Sequence, residues 1–228
     1  MSSIKQKLKL SLIIVIIIII LIALIFFIYE KSNYTLAEIE EILNTPKSIT
    51  NMHILIEGIS NNELTYTEIF MKDNFYYVTY RNNNTSPIFQ ECYYNPEISE
   101  LVNVDREQEG ILYTPETSIE NLPFLTTSED FDNSKNNYTN FEYLGKETVN
   151  DKKCLKICFT QEDKGIENYY IDPDNNIIVK HEVYSPNYSS GEIEKITDLT
   201  YTYSYNTLTD NDVKKFNVDD YPNYLLLN

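Results

Sequence analysis

Between Leu10 and Tyr29 the chain runs twenty residues without a charge, polar only at Ser11 and at the Tyr29 hydroxyl. As a helix that run spans about 30 Å, the thickness of a bilayer core. Lys5, Lys7 and Lys9 precede it, and Glu30 and Lys31 cancel after it. The positive-inside bias then keeps the N-terminus in the cytoplasm and puts residues 30–228 outside. A cleaved signal peptide has a shorter apolar stretch, about 7–15 residues, and a small-residue cleavage site. Phe26-Phe27-Ile28-Tyr29-Glu30-Lys31 offers no such site, and the first cysteine, needed early in a lipoprotein, is Cys92. The expected organisation is a basic tip and uncleaved transmembrane anchor over 1–29, followed by an extracytoplasmic domain over 30–228. The expected location is the cell membrane, crossed once.

The anchor divides the charge. The net charge of −17 is the sum of +3 before Glu30 and −20 over the remaining 199 residues. Phosphate backbones need a basic patch, so nucleic acid is not an expected partner. Three cysteines are too few for a disulfide scaffold. Two histidines and five glycines leave few parts for a His-rich metal site or a Gly-rich phosphate loop. No cofactor is expected.

After the anchor, Thr35-Leu36-Ala37-Glu38 matches a capping box, and Leu36, Ile39 and Leu43 recur at helical spacing. From Asn51 the period changes to two. Strands are predicted over 52–59, 64–72, 75–81, 88–94, 100–104, 111–113, 141–144, 153–160, 167–171, 177–184 and 193–205. Asp73-Asn74 reads as a tight hairpin turn. Residues 114–135 are less regular, with room for a short helix or a flap. About eleven strands at hairpin spacing imply an antiparallel sheet, strongly curved or closed.

Few residues point to chemistry. Asp172-Pro173-Asp174-Asn175-Asn176 begins like a calcium loop, but Ile177 and Val183 stand where glycine and a bidentate glutamate are needed. A polar turn between strands is the favoured reading. His53 and His181 lie inside predicted strands without metalloprotease spacing, each bonded to a neighbour. Carboxylates are scattered as on a solvated face, no nucleophile elbow or phosphate loop occurs, and no enzyme activity is expected. Cys154 and Cys158 on one strand lie about 13 Å apart, too far to bridge each other. Either could pair with Cys92, or all three could be small strand residues. Leu199, Tyr201, Tyr203 and Tyr205 share one face of the last long strand. Such a row can line a cavity for an amphiphile, or can be ordinary sheet packing. These four are the candidate ligand-binding residues.

The stretch Phe141-Glu142-Tyr143-Leu144-Gly145-Lys146 through Cys154-Leu155-Lys156-Ile157 resembles a segment common in LolA/LolB-like (outer-membrane lipoprotein-sorting-like) domains. Tyr169-Tyr170-Ile171-Asp172-Pro173-Asp174-Asn175-Asn176 does too, and Asn206-Thr207-Leu208, Asp212 and Phe216 resemble that family's ending. The resemblance covers most of residues 35–221. It implies an incomplete antiparallel β-barrel of about eleven strands over one or two helices, with an apolar cavity. Family members bind lipoprotein acyl chains, other lipids or protein segments. Some regulate envelope stress signalling, and a Gram-positive branch includes clostridial germination lipoproteins that bind a cell-wall hydrolase. This chain departs from the carriers in its uncleaved anchor and its lack of tryptophan. A tethered domain cannot ferry cargo across an aqueous gap, so a stationary binder or regulator is expected. Its partner would be a lipid or acyl chain, or alternatively an envelope or spore cell-wall protein.

Overall fold

The computed structural model describes residues 16–21, 33–45, 50–117, 127–161, 165–187 and 190–227. Two compact units divide the chain at Thr35, Met1–Thr35 and Leu36–Asn228. Of the expected anchor only 16–21 are described, as helix; the rest of the Leu10–Tyr29 run lies outside the described residues. Among the described residues no helix is long and apolar enough to cross a membrane.

The larger unit opens with helix α1 (Leu36–Asn44), starting just after Thr35 as the capping residues predict. Ile39 is fully buried on its apolar stripe. Six strands follow as a meander: β1 (Asn51–Ser60), β2 (Glu63–Lys72), β3 (Phe75–Arg81), β4 (Gln90–Asn95), β5 (Glu100–Asp105) and β6 (Gly110–Thr114). Helix α2 (Thr127–Asn137) then leads to a second meander. That comprises β7 (Asn140–Val149), β8 (Lys152–Gln161), β9 (Gly165–Asp172), β10 (Ile177–Pro186) and β11 (Ile193–Tyr205). The two meanders join where β11 pairs antiparallel with β1, from Met52↔Tyr205 to Ile59↔Asp198.

Three hairpins turn on residue pairs with positive φ: Asn61-Asn62 (51°, 67°), Asp73-Asn74 (51°, 66°) and Asn150-Asp151 (48°, 62°). Two successive left-handed residues give a turn whose twist matches that of the strands it joins. Asn and Asp tolerate that conformation better than other side-chain-bearing residues. At Gly58 (φ 143°) the approach of β11 leaves no room for a side chain, because a Cβ there would lie 1.9 Å from the Asp198 carbonyl oxygen.

All eleven predicted strands are present, two features differing from the expectation. Strand β7 runs on to Val149, with a bulge between Tyr143 and Gly145 that the Gly145 φ of 101° accommodates. A twelfth strand, β12 (Leu225–Leu227), pairs parallel with β6. Three residues are too few for alternation to announce them. The result is one open sheet in the order β12-β6-β5-β4-β3-β2-β1-β11-β10-β9-β8-β7, with β12 and β7 as its edges. It is not a closed barrel.

Register assigns the faces. Tyr203, Ile54, Ile69, Val78 and Cys92 form one row across five strands. Leu199 lies in a parallel row with His181 and Tyr169. Helix α2 covers that face at the β8–β9 end, where Phe131 packs edge-on to Phe159 (5.5 Å) and Tyr169 (5.7 Å). The opposite face carries Phe70, Tyr77, Tyr93 and Val102 in register. The C-terminal segment covers it through Leu208, Val213, Phe216, Tyr221 and Tyr224.

Candidate functional site

The four predicted ligand-binding residues come together as alternation requires, on one face of β11. They stand opposite Gly58, Ile56, Ile54 and Met52 of β1. Tyr201 is buried, while Leu199, Tyr203 and Tyr205 are half-buried. Tyr203 packs against two apolar clusters, one centred on Ile54, Ile69 and Val78 and the other on Cys154, Tyr170 and Val179. Its hydroxyl donates to the Ile178 carbonyl at 2.8 Å. The Tyr203 and Tyr205 rings stack with centroids 6.3 Å apart. The Tyr205 hydroxyl differs from that of Tyr203, since it is buried and makes no hydrogen bond to the described protein atoms. Burial, and then the nearby Asp172 carboxylate, push its pKa up to about 12. It therefore remains a neutral donor at physiological pH.

The other residues singled out in the sequence have local roles. The Asp172 carboxylate accepts from the backbone of Asp174 and Asn175, the Asn175 side chain and Lys152, so it is the acceptor of its own turn. Among the described residues no group of three or more His, Cys, Asp or Glu side chains is placed to hold a metal. His53 stacks on Phe70 at 4.6 Å and lies 3.4 Å from Glu68. His181 stacks on Tyr169 at 4.3 Å. Cys92, Cys154 and Cys158 are buried free thiols, so neither open pairing with Cys92 forms.

The expectation that acidic side chains lie on a solvated face fails at three glutamates. Glu91 on β4 is 1% exposed. One carboxylate oxygen accepts from the hydroxyls of Tyr77 (2.6 Å) and Tyr93 (3.0 Å). The other accepts from Tyr221 (2.9 Å) and from Nε of Arg106 (2.6 Å). Burial alone would raise its pKa, but the Tyr77 and Tyr221 hydroxyls and the Arg106 guanidinium outweigh burial and hold it below the ordinary value. This cluster fastens the C-terminal segment to the sheet.

Glu167 on β9 does the same for α2. It accepts from Ser134, Tyr138 (2.9 Å) and Tyr169 (2.9 Å). His181 Nε2 stands 3.5 Å away and acts together with the Ser134, Tyr138 and Tyr169 hydroxyls to favour the charged form. Burial opposes ionisation, yet the donors win and the pKa falls to about 2. Glu182 on β10 is held by Lys180 (2.8 Å), Lys195 (2.8 Å) and the Tyr170 hydroxyl (2.9 Å). Its pKa also falls to about 2, these partners again outweighing burial. Each carboxylate is a hub whose acceptor sites are filled by protein donors. The sequence carried one faint sign of them: each glutamate lies in a strand two residues before a tyrosine, on the same face of that strand.

Comparison with known proteins finds no family model that matches the chain and no match among curated proteins. Solved structures do match in fold. An uncharacterised conserved protein from Thermus thermophilus superposes with a TM-score of 0.52 at 10% identity, over 84% of this chain and 97% of that one. MucB gives 0.48 at 8% identity, over 79% of this chain and 62% of its own. LprF from Mycobacterium bovis gives 0.36 at 11% identity, over 78% and 97%. At such identities the likeness to the Thermus protein is one of fold, and it spans nearly the whole of that chain.

Proposed function

We propose that the chain is a membrane-anchored extracytoplasmic binding module of the LolA/LolB-like kind, acting by binding rather than catalysis. Its ligand is a lipid, acyl chain or other amphiphile lying against the sheet face that bears Leu199, Tyr201, Tyr203 and Tyr205. The observation that supports this reading is the Tyr205 hydroxyl, buried at the end of the row without a hydrogen-bond partner among the described residues. A buried hydroxyl left unpaired costs about 1–3 kcal/mol, and an amphiphile's polar end removes that cost. The apolar chain then follows the row toward Leu199. Anchorage rests on the charge-free Leu10–Tyr29 run, with the three lysines setting its orientation.

Two experiments test the reading. Lipid extraction and mass spectrometry of the purified protein should recover a bound amphiphile. Tyr205→Phe, which breaks no hydrogen bond among the described residues, should lower its occupancy without loss of stability. Full occupancy in Tyr205→Phe, or no amphiphile in the wild type, would overturn it. Ile18→Asp should release the protein from the membrane, and unchanged retention would refute the anchor.

A second reading is a protein adaptor that regulates an envelope or spore cell-wall enzyme. It is favoured by β12, an edge strand whose Leu225, Leu226 and Leu227 are 69%, 62% and 44% exposed. An unpaired edge with apolar side chains is a template for strand addition. Crosslinking from this edge should capture one specific envelope protein; background alone would count against it.

A further inference from the structure

The face opposite the tyrosine row has a recess of its own. A partly enclosed pocket of about 200 Å³ lies between the β4–β5 hairpin and the C-terminal segment. Phe75, Tyr93, Ile98, Val102 and Phe216 form its apolar wall. Lys214 and Lys215 line it as well, together with Asn95 and Glu100.

The two lysines are unusual in this domain. Most described cations pair with a carboxylate, as Lys72 does with Asp210 and Lys152 with Asp172. Lys214 and Lys215 form no ion pair among the described residues. The Lys215 ammonium lies 4.3 Å from the centroid of Phe75, and that of Lys214 lies 5.2 Å from Tyr77. Aromatic faces hold a cation without neutralising it. The pocket lining carries two ammonium groups and one carboxylate, that of Glu100, a net positive edge on an apolar recess; the Asp210 carboxylate, within electrostatic range of Lys215, is already held by Lys72. The domain around it carries −20.

We propose that this pocket binds a single-chain carboxylate amphiphile, a medium-chain free fatty acid. The tail lies along the Phe75–Phe216 wall, where each buried methylene strengthens binding about fourfold. The carboxylate meets Lys214 and Lys215. The volume lies below the roughly 300–1,000 Å³ of ordinary ligand pockets, which admits one chain and excludes the paired chains of a phospholipid. The site stands apart from the Leu199–Tyr205 row, so the two can fail separately.

The test uses the full chain in phosphatidylcholine nanodiscs, exposed to dodecanoic acid bearing a photoactivatable diazirine, irradiated, digested and mapped by mass spectrometry. Label is expected on residues 93–102 and 213–216. Unlabelled dodecanoate should compete about tenfold better than dodecanol, and phosphatidylglycerol should not compete. The double variant Lys214→Gln, Lys215→Gln should lower labelling about fivefold. Val102→Phe should fill the pocket and remove it. The lysines are exposed, so their variant tests the site even if Val102→Phe misfolds. Label confined to β11 would overturn this inference and leave the reading above intact. Label on neither surface would overturn both. Equal competition by dodecanol or by phosphatidylglycerol would also overturn the assignment, as would full labelling of the double lysine variant.

Discussion

Replacing Glu167 with glutamine should remove a part of the stability that is itself pH-dependent, so that the loss shrinks as the pH falls. The carboxylate titrates near 2 when folded, against an ordinary value of 4.5. That separation of about 2.5 pH units corresponds to about 3 kcal/mol at 1.36 kcal/mol per unit. The side chain is 16% exposed, and screening through that opening lowers the expectation to about 2 kcal/mol. The folded pKa is depressed, so the contribution is complete above pH 4.5 and is lost as pH falls through about 2. Glutamine keeps the shape but removes the charge that His181 and the Ser134, Tyr138 and Tyr169 hydroxyls stabilise. The assay is urea unfolding of residues 36–228, followed by tyrosine fluorescence, which no tryptophan obscures. Wild type should exceed Glu167→Gln by about 2 kcal/mol at pH 7 and by about 1 kcal/mol at pH 3. Acidification also relieves repulsion within the acidic domain, and Glu182 titrates as well, but both effects are common to the two proteins and cancel in the difference. A difference that stays constant between pH 7 and pH 3, or none at pH 7, would refute the reasoning.

Further outcomes follow from other contacts. Tyr221→Phe removes one of the donors to buried Glu91 and should cost about 1–2 kcal/mol, with faster proteolysis after residue 206 as the local readout; unchanged cleavage would show that the hub does not hold the segment. Gly58→Ala forces β1 and β11 apart at the Asp198 carbonyl and should destabilise by at least about 2 kcal/mol in thermal unfolding; a neutral result would mean that the strands separate there without cost. Burial pushes the Cys92 thiol up to about 12 and raises Cys154 and Cys158, so none should react with a disulfide reagent at pH 8 until the protein is unfolded. Rapid modification of the native protein would contradict their burial.

Most of the strand plan was legible because it is local. Alternation in Phe75–Arg81 or Lys152–Gln161, and turn pairs such as Asp73-Asn74, are set by neighbours within a few residues. The order of the two meanders in the sheet was not legible, since β1 and β11 meet across some 150 residues of chain. Nor were the hubs. Glu91 reads as one more acidic residue until Tyr221, 130 positions later, is seen to donate to it. The tyrosine row of β11 was legible as a row, because period two suffices. That Tyr203 is satisfied by the Ile178 carbonyl while Tyr205 is not is set by tertiary placement, which no sequence period encodes.

The β1–β11 seam also sets an order of events. As the chain emerges, β1 can pair at once with β2 on one side, and the first meander can assemble through β6. Its other edge stays open until residue 205 has appeared, because the partner for β1 is the last long strand made. The half-built domain therefore presents one open edge along the ten-residue strand β1 during synthesis, a period in which a chaperone would be most needed. The same geometry makes the seam the natural plane of rupture. Mutations that loosen it should split the sheet into two meanders, while those elsewhere should fray its edges.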